Sequence, residues 1–233
     1  MKLRKLFLFG TLVMFGMAGK SQNIDNVNDI QSVEEVVPVT SGQVNLELWP
    51  TCTAKEMAVQ ISPKLVEFVM YETGDEALAQ CFQNPPCGVA VIKCEDKLVV
   101  DEIIAKAKRV LPENILLFWS ARPQDGKFTL YAINDENADG IAPLHGDIIE
   151  KAEVSFAFNS QMPIINFEMN SEAAAKWGDM TEVCAKEMRP IAIVVNGQVL
   201  SAPVPSERIN GGNCQISGCF TIEEAQELAD ALN

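Results

Sequence analysis

The sequence predicts an α+β protein built of mainly antiparallel sheets, with helices packed on one face in two layers. Three observations predict it. Short apolar runs of strand length alternate with helical patterns through residues 44–140, an order that two-layer packing satisfies most simply. Asn196-Gly197 separates two strand runs in "IAIVVNGQVLSAPV", and such a two-residue turn needs positive φ at both positions, which Asn and Gly tolerate. Thr221 and Glu224 form a capping box ahead of Ile222, Ala225, Leu228, Ala229 and Leu232, which recur at helical spacing as a packed face.

The elements follow in order. The opening "MKLRKLFLFGTLVMFGMAGKSQ" joins a basic start to an apolar run from Leu6 to about Gly19. That run is shorter than the roughly 20 residues a membrane-spanning helix needs, and it fits a secretory signal over residues 1–21. Cleavage after Ser21 or after Ala18 suits the small-residue rule, and an uncleaved inner-membrane signal anchor is the alternative. Residues 22–43 lack aromatics and are rich in Asn, Asp, Gln and Ser, which reads as a disordered acidic linker. Order is expected to begin near Val44, in a product that is periplasmic or secreted.

Residues 44–140 form the first ordered block. "VNLEL" reads as strand, "AKEMAVQI" as a short helix, "KLVEFVMY" as strand and "GDEALAQCF" as helix. "GVAVIKC" reads as strand, and "KLVVDEIIAKAKRVL" as a helix with Val100, Ile103, Ile104 and Ala107 on one face. Strands at "NILLFWS" and "KFTLYAI" flank the turn "RPQDG". After the loop "NDENADGIAPLHGD", residues 141–233 form the second block. It opens with strands "DIIEKAEVSFAF" and "PIINFEM". Asn170 or Ser171 then caps a helix through Met188, whose stripe of Ala173, Trp177, Met180, Cys184 and Met188 reads as core rather than as a cofactor box. Gly211-Gly212 permits a tight reversal, "NCQIS" gives a short strand, Gly218 allows a bend, and Phe220 is placed to staple onto the last helix near Ala225.

Composition narrows function. The formal net charge is −14, and without the first 21 residues 14 basic side chains face 32 acidic ones, a surface that repels phosphate backbones and anionic lipid. Nucleic acid is therefore not expected as a partner, and no later run is long enough to span a bilayer. The seven cysteines, at 52, 81, 87, 94, 184, 214 and 219, suit an oxidising compartment but form no familiar framework. Cys81 and Cys87 bracket "FQNPP", whose prolines can fold the chain back, and are the preferred disulfide. The other thiols read as mostly buried and free. The spacing of Cys214 and Cys219 is wrong for a zinc knuckle, "DENAD" lacks the spaced ligands of a calcium loop, and the glycine pair lacks the Lys and Ser/Thr of a phosphate loop. No metal, cofactor or catalytic residue is assigned. A hydrolase would use His145 as base with Asp147 and Ser201 or a thiol, a reading that ranks third.

"FEMNSEAAAKW", "IAIVVNGQVLSAPV" and "INGGNCQISGCFTIEEAQELADAL" together resemble the head region of the first periplasmic domain of SecD and fused SecDF, accessory membrane subunits of the Sec protein-export machinery. The likeness is specific over about Asp147 to Leu232. A looser one, through "ENILLFWSARP" and "APLHGDIIEKA", extends to around Cys87 and is similar to Bacteroidetes-type fused proteins. Ala173 stands where the family has Gly, Asn196 where it has Asp, and "AKEMRP" replaces Asn-Ile-Gly-Lys. The resemblance implies a head-like subdomain after a base-like block, with contacts to exported polypeptide or Sec translocon components. Ser201, Pro203, Gly211, Gly212, Gly218 and Phe220, at motif positions, are the candidate contacts. In the family the last helix leads into a membrane bundle that uses proton flow. The sequence ends at Asn233, so the expectation is a non-enzymatic head without that motor, binding polypeptide or another envelope protein. A secreted envelope or host-interface scaffold is the alternative, and the oligomeric state is not read from the sequence.

Overall fold

The computed structural model describes residues 44–83, 85, 88–157, 160–217 and 220–233. The expected signal and linker, together with Cys87, Gly218 and Cys219, lie outside the described residues.

The chain begins with β1 (Leu46–Pro50) and α1 (Ala54–Glu56), followed by a π turn at Met57–Ile61. Thr53 starts α1 with a capping box: its hydroxyl accepts from the Glu56 amide at 3.2 Å, and the Glu56 carboxylate accepts from the Thr53 amide at 2.7 Å. Next comes α2 (Ser62–Thr73), which contains the expected strand "KLVEFVMY". The Val, Phe and Tyr content suggested β structure. Leu65, Phe68 and Val69, however, recur at helical spacing and are buried, while Glu67, Met70 and Tyr71 face outward. Pro63 sits in the first turn and Gly74, at φ +66°, closes the helix, so the boundary signals and packing override the propensity.

The block continues through α3 (Glu76–Gln80), β2 (Ala90–Lys93), α4 (Lys97–Ala107), β3 (Ile115–Trp119) and β4 (Lys127–Asn134). Then follow β5 (Leu144–His145), β6 (Ile149–Phe156), β7 (Pro163–Met169) and α5 (Ser171–Glu187). The chain closes with β8 (Ile191–Val195), β9 (Gln198–Ser201), β10 (Asn213–Ser217) and α6 (Ile222–Leu232). Asp125 and Gly126 in the β3–β4 turn, and Asn196 and Gly197 in the β8–β9 turn, all take positive φ, as two-residue hairpin loops require.

Among the described residues all strand ladders are antiparallel and form three sheets, ordered β5-β1-β8-β9, β10-β7-β6 and β2-β4-β3. The α+β expectation is borne out. Three cores fill the spaces between layers. Helices α2, α3 and α4 pack on β2 and β4 through Leu65, Phe68, Val100, Ile103, Leu130 and Ala132. Helices α5 and α6 pack with both second-block sheets through Trp177, Phe167, Ile193, Ile216 and Leu228. Between the β2-β4-β3 and β5-β1-β8-β9 sheets lies a smaller core of Trp49, Ile133, Ala192, Val194 and Val199, with Leu116, Phe118 and Tyr131 packed against it.

Strand β8 explains how the blocks join. Its Ile191, Ile193 and Val195 face the helices, its Ala192 and Val194 face the first block, and all five are buried. A continuous apolar run is what a strand covered on both faces requires. On one side of it β1, from the first block, pairs along its whole length, from Leu46 opposite Val195 to Pro50 opposite Ile191. The sheet also touches its neighbour at both corners. The Cys52 amide donates to Ala132 O at 2.8 Å, and the Ala121 amide donates to Val199 O at 2.8 Å.

In the second block Asn170 caps α5 by accepting from the Ala173 amide at 2.9 Å. Of the expected α5 stripe, Ala173, Trp177 and Cys184 are buried, but Met188 closes the helix at φ +54° and is 77% exposed. Its positive φ turns the side chain off the buried face. Thr221 and Glu224 make the expected box on α6, at 3.2 and 2.7 Å. Ile222 is 52% exposed, so the buried face of α6 is Ala225, Leu228 and Ala229. Asn233 ties the end of α6 to β6, donating to Ala152 O at 3.0 Å and accepting from the Ala152 amide at 2.8 Å.

Candidate functional site

A groove of about 400 Å³ opens where the two blocks meet. Its wall from the first block is the β3–β4 turn, Ser120 to Gln124, with Thr129 and Tyr131 of β4. The wall from the second block is Val199 to Ala202 at the end of β9, with Ser217, Phe220 and Met162. Strands β9 and β10 are both at the edge of their sheets. The lining is apolar or neutral except for Arg122, whose Nη2 lies 2.6 Å from Glu224 Oε1. The Arg122 guanidinium also sits over the Phe220 ring, 5.7 Å from its centroid. Met162 is 53% exposed and lines the mouth.

Glu224 therefore does two things: one oxygen completes the α6 cap and the other holds Arg122 across the groove. Burial pushes its carboxyl up, but the hydrogen bonds from Arg122 and the Thr221 amide outweigh that and hold it below the ordinary value. At the other end of the junction the arrangement recurs with the blocks exchanged. Arg189, just past α5 and only 6% exposed, donates from both terminal nitrogens to the two Glu56 oxygens at 2.9 Å. It also donates to Thr51 O at 2.8 Å and to Glu187 at 2.8 Å. Glu56 is again the cap residue of its helix, and again burial is outweighed, by Arg189 and the Thr53 amide, so its carboxyl lies below the ordinary value.

Of the expected contacts, Ser201 and Phe220 line the groove. Pro203 does not; its carbonyl accepts from the Ile191 amide at 2.9 Å and prolongs the β8–β9 pairing. Gly211 and Gly212, at φ +87° and +69°, make the reversal into β10. A Cβ on Gly212 would lie 2.8 Å from the Ala174 Cβ and 3.0 Å from the Met169 Cβ, so this glycine lets the loop close onto α5 and β7. Gly218 lies outside the described residues. Cys81 is half-buried on the turn after α3, and its expected partner Cys87 is outside the described residues. Burial pushes the Cys52 thiol up to about 12 and the Cys184 and Cys214 thiols up to about 11.

The residues considered for hydrolysis are not brought together. His145 is on β5 and Ser201 on β9, at opposite edges of one sheet, and three strand spacings put them roughly 14 Å apart. The His145 Nδ1 donates to Ala142 O at 2.6 Å. In the acidic loop Asp135 accepts from the Gly140 amide and Asp139 from the Ile141 amide, so these carboxylates shape the loop. Among the described residues no group of three His, Cys, Asp or Glu is placed to hold a metal, and no helix is long and apolar enough to cross a membrane.

Sequence reasoning missed Arg122, Arg189 and Met162. The Thr53-x-x-Glu56 box was available as a signal for one clamp, since it repeats the Thr221-x-x-Glu224 spacing that was recognised. The arginines themselves carry no local signal, because their partners are 102 and 133 residues away in sequence.

Comparison with known proteins bears out the resemblance read from the motifs. Residues 134–233 match the family model described as SecDF, P1 head subdomain. The protein translocase subunit SecD of Sebaldella termitidis is 38% identical over 97 residues, covering 42% of this chain and 23% of the relative. That of Acidaminococcus fermentans is 36% identical over 108 residues, covering 46% and 24%. The matched part thus spans about a quarter of these relatives. A solved structure, of a membrane component SecDF that enhances protein export, aligns with a TM-score of 0.44 at 19% identity, covering 83% of this chain and 64% of that one.

Proposed function

We propose that this protein is an exported, non-enzymatic SecD-head-like module that holds unfolded or translocating polypeptide, or a segment of another envelope protein, in the groove between its blocks. The observation that carries this reading is the groove itself. Its lining mixes apolar and uncharged polar residues with the single charge of Arg122, paired to Glu224, on a strongly acidic protein; it is lined by edge strands, and it contains two of the motif residues, Ser201 and Phe220. A segment in extended conformation pairs its backbone with an edge strand, at β9 beyond Val199, whose carbonyl is already taken by the Ala121 amide, and places alternate side chains in the groove. A volume of about 400 Å³ holds roughly three residues of such a segment. The curated relatives are named as protein translocase subunits, which supports exported chains as the class of ligand. No proton-driven step is assigned; among the described residues no helix is long and apolar enough to cross a membrane.

The test is photo-cross-linking in intact cells from a benzoylphenylalanine placed at Ser201, with a control probe at Gln215 on the polar face of the β10-β7-β6 sheet. Capture of identified secretory chains from Ser201 and not from Gln215 is the expected result. Equal capture from both positions, or capture only of cytosolic proteins, would remove the groove from the reading.

A further inference from the structure

The two arginine clamps share one design and differ in one respect. Each uses the glutamate of a Thr-x-x-Glu capping box to start a helix and, at the same time, to grip an arginine from the other block. The first block supplies Glu56 and Arg122; the second supplies Glu224 and Arg189. The fastening is thus reciprocal. The Arg189 side chain is 8% exposed, makes four donated hydrogen bonds and sits where β1 is fully paired. The Arg122 side chain is 28% exposed and lies over an open groove, where the blocks are otherwise joined at the backbone by the Ala121 amide to Val199 O.

We propose that the Arg122–Glu224 pair is a releasable latch on the groove and the Arg189–Glu56 pair a fixed pivot. Breaking the latch lets the β3–β4 turn swing away from β9 and Phe220, while the blocks stay joined at Thr51, whose amide donates to Pro190 O at 2.9 Å, and at Arg189. The buried Arg189, with four of its five N–H donors engaged, resists separation, because each released group would be left without a partner. The difference lies in the arginines and not in the glutamates, of which Glu56 is 33% and Glu224 18% exposed: solvent reaches the Arg122 guanidinium, which can exchange its partner for water. What the latch admits rests on the polypeptide-binding reading; the latch itself does not.

Hydrogen exchange on the full chain, with no ligand added, reads the two ends separately. The Ala121 amide reports the groove end and the Thr51 amide, which donates to Pro190 O at 2.9 Å, reports the pivot end. Glu224→Gln is the informative change, since a glutamine oxygen still accepts from the Thr221 amide and keeps the α6 cap while losing the ionic grip on Arg122. Exchange at Ala121 is expected to rise about tenfold, with Thr51 and the first turn of α6 within about twofold of wild type. Arg122→Lys, which keeps the charge but loses the planar fork and the stacking on Phe220, is expected to give a smaller rise at Ala121. An unchanged Ala121 rate in both variants, or an equal rise at Ala121 and Thr51, overturns the latch and pivot. Failure to cross-link polypeptide at Ser201, with the exchange pattern as expected, would remove the binding reading and leave the latch standing.

Discussion

The central sheet β5-β1-β8-β9 and the outer sheet β10-β7-β6 are both antiparallel and both belong mainly to the second block, yet they obey different rules. The central sheet is covered on both faces, by α5 and α6 with the outer sheet on one side and by the first block on the other. The outer sheet is covered on one face; the other carries Lys151, Glu153, Asn166, Glu168 and Gln215 around an open, polar surface. The difference teaches where the molecule is made one body. The family-model match covers residues 134–233, but β1, which completes the central sheet, comes from outside that span.

The largest effect is expected where both faces of the central sheet are used. Trp49 is 2% exposed, meets Phe118 edge-on at 6.4 Å and lies in the core that joins the blocks. Trp49→Ala should cost about 3–5 kcal/mol in urea unfolding, through lost burial and the cavity left behind. If the loss is under about 1 kcal/mol, the junction core is not what fastens the blocks, and the contrast between the sheets fails.

The second effect probes the same junction through charge. Glu56→Ala leaves Arg189 buried with only Glu187 and a carbonyl, and should cost about 2 kcal/mol. That is below the cost for a fully buried pair because the Glu56 side chain is 33% exposed. The pH dependence has a fixed sign. Glu56 and Glu224 both lie below the ordinary carboxylate value of about 4.5 when folded. Their contribution is therefore complete above that value and is lost as pH falls through the lowered folded values. Wild type should hold its unfolding midpoint from neutral pH to about 5 and fall below that, and Glu56→Gln should fall less steeply over the acid range.

How much of this was legible in the sequence follows the same division. The Asn196-Gly197 hairpin and the Thr221–Glu224 cap are legible because their signals are local: Asn196-Gly197 must turn, and Thr221 with Glu224 must start a helix. The expected strand at α2 rests on the β propensity of Val66, Phe68, Val69 and Tyr71, while the helical period and the Pro63 and Gly74 boundaries carry the structure. The site was half legible. Ser201 and Phe220 stand at motif positions and line the groove, but the opposite wall comes from the β3–β4 turn, some 80 to 100 residues earlier in the chain. A wall made by two blocks has no spacing to recognise, and neither has an ion pair that spans them. At the glycine pair the reversal is legible, while the close approach of Gly212 to α5 and β7 is not.

That glycine supplies the third test. Gly212→Ala combines a positive φ with a Cβ that would press on Ala174 and Met169, so it should cost about 2 kcal/mol. Gly211→Ala has a strained φ too, at +87°, but its nearest atom would be the Asn213 side-chain nitrogen at 3.7 Å, so it should cost about half as much. Equal losses would mean that backbone conformation alone matters at this reversal, and that close approach to α5 does not.

The smallest effect should fall on the open face of the outer sheet. Gln215 projects from β10 into the polar surface and is exposed, and it makes no hydrogen bond that orders its neighbours among those seen on that face, where Asn166 instead donates to Ser155 Oγ at 2.6 Å. Gln215→Ala should change unfolding stability by less than about 0.5 kcal/mol, the usual range for surface positions. Val194, on the central sheet, sets the contrast at the same scale of change: removing its two methyl groups as Val194→Ala takes them from a face that is fully buried against the first block, and should cost about 2 kcal/mol. If Gln215→Ala proves as costly as Val194→Ala, the open face is covered in solution, and the outer sheet, like the central one, has a partner on both sides.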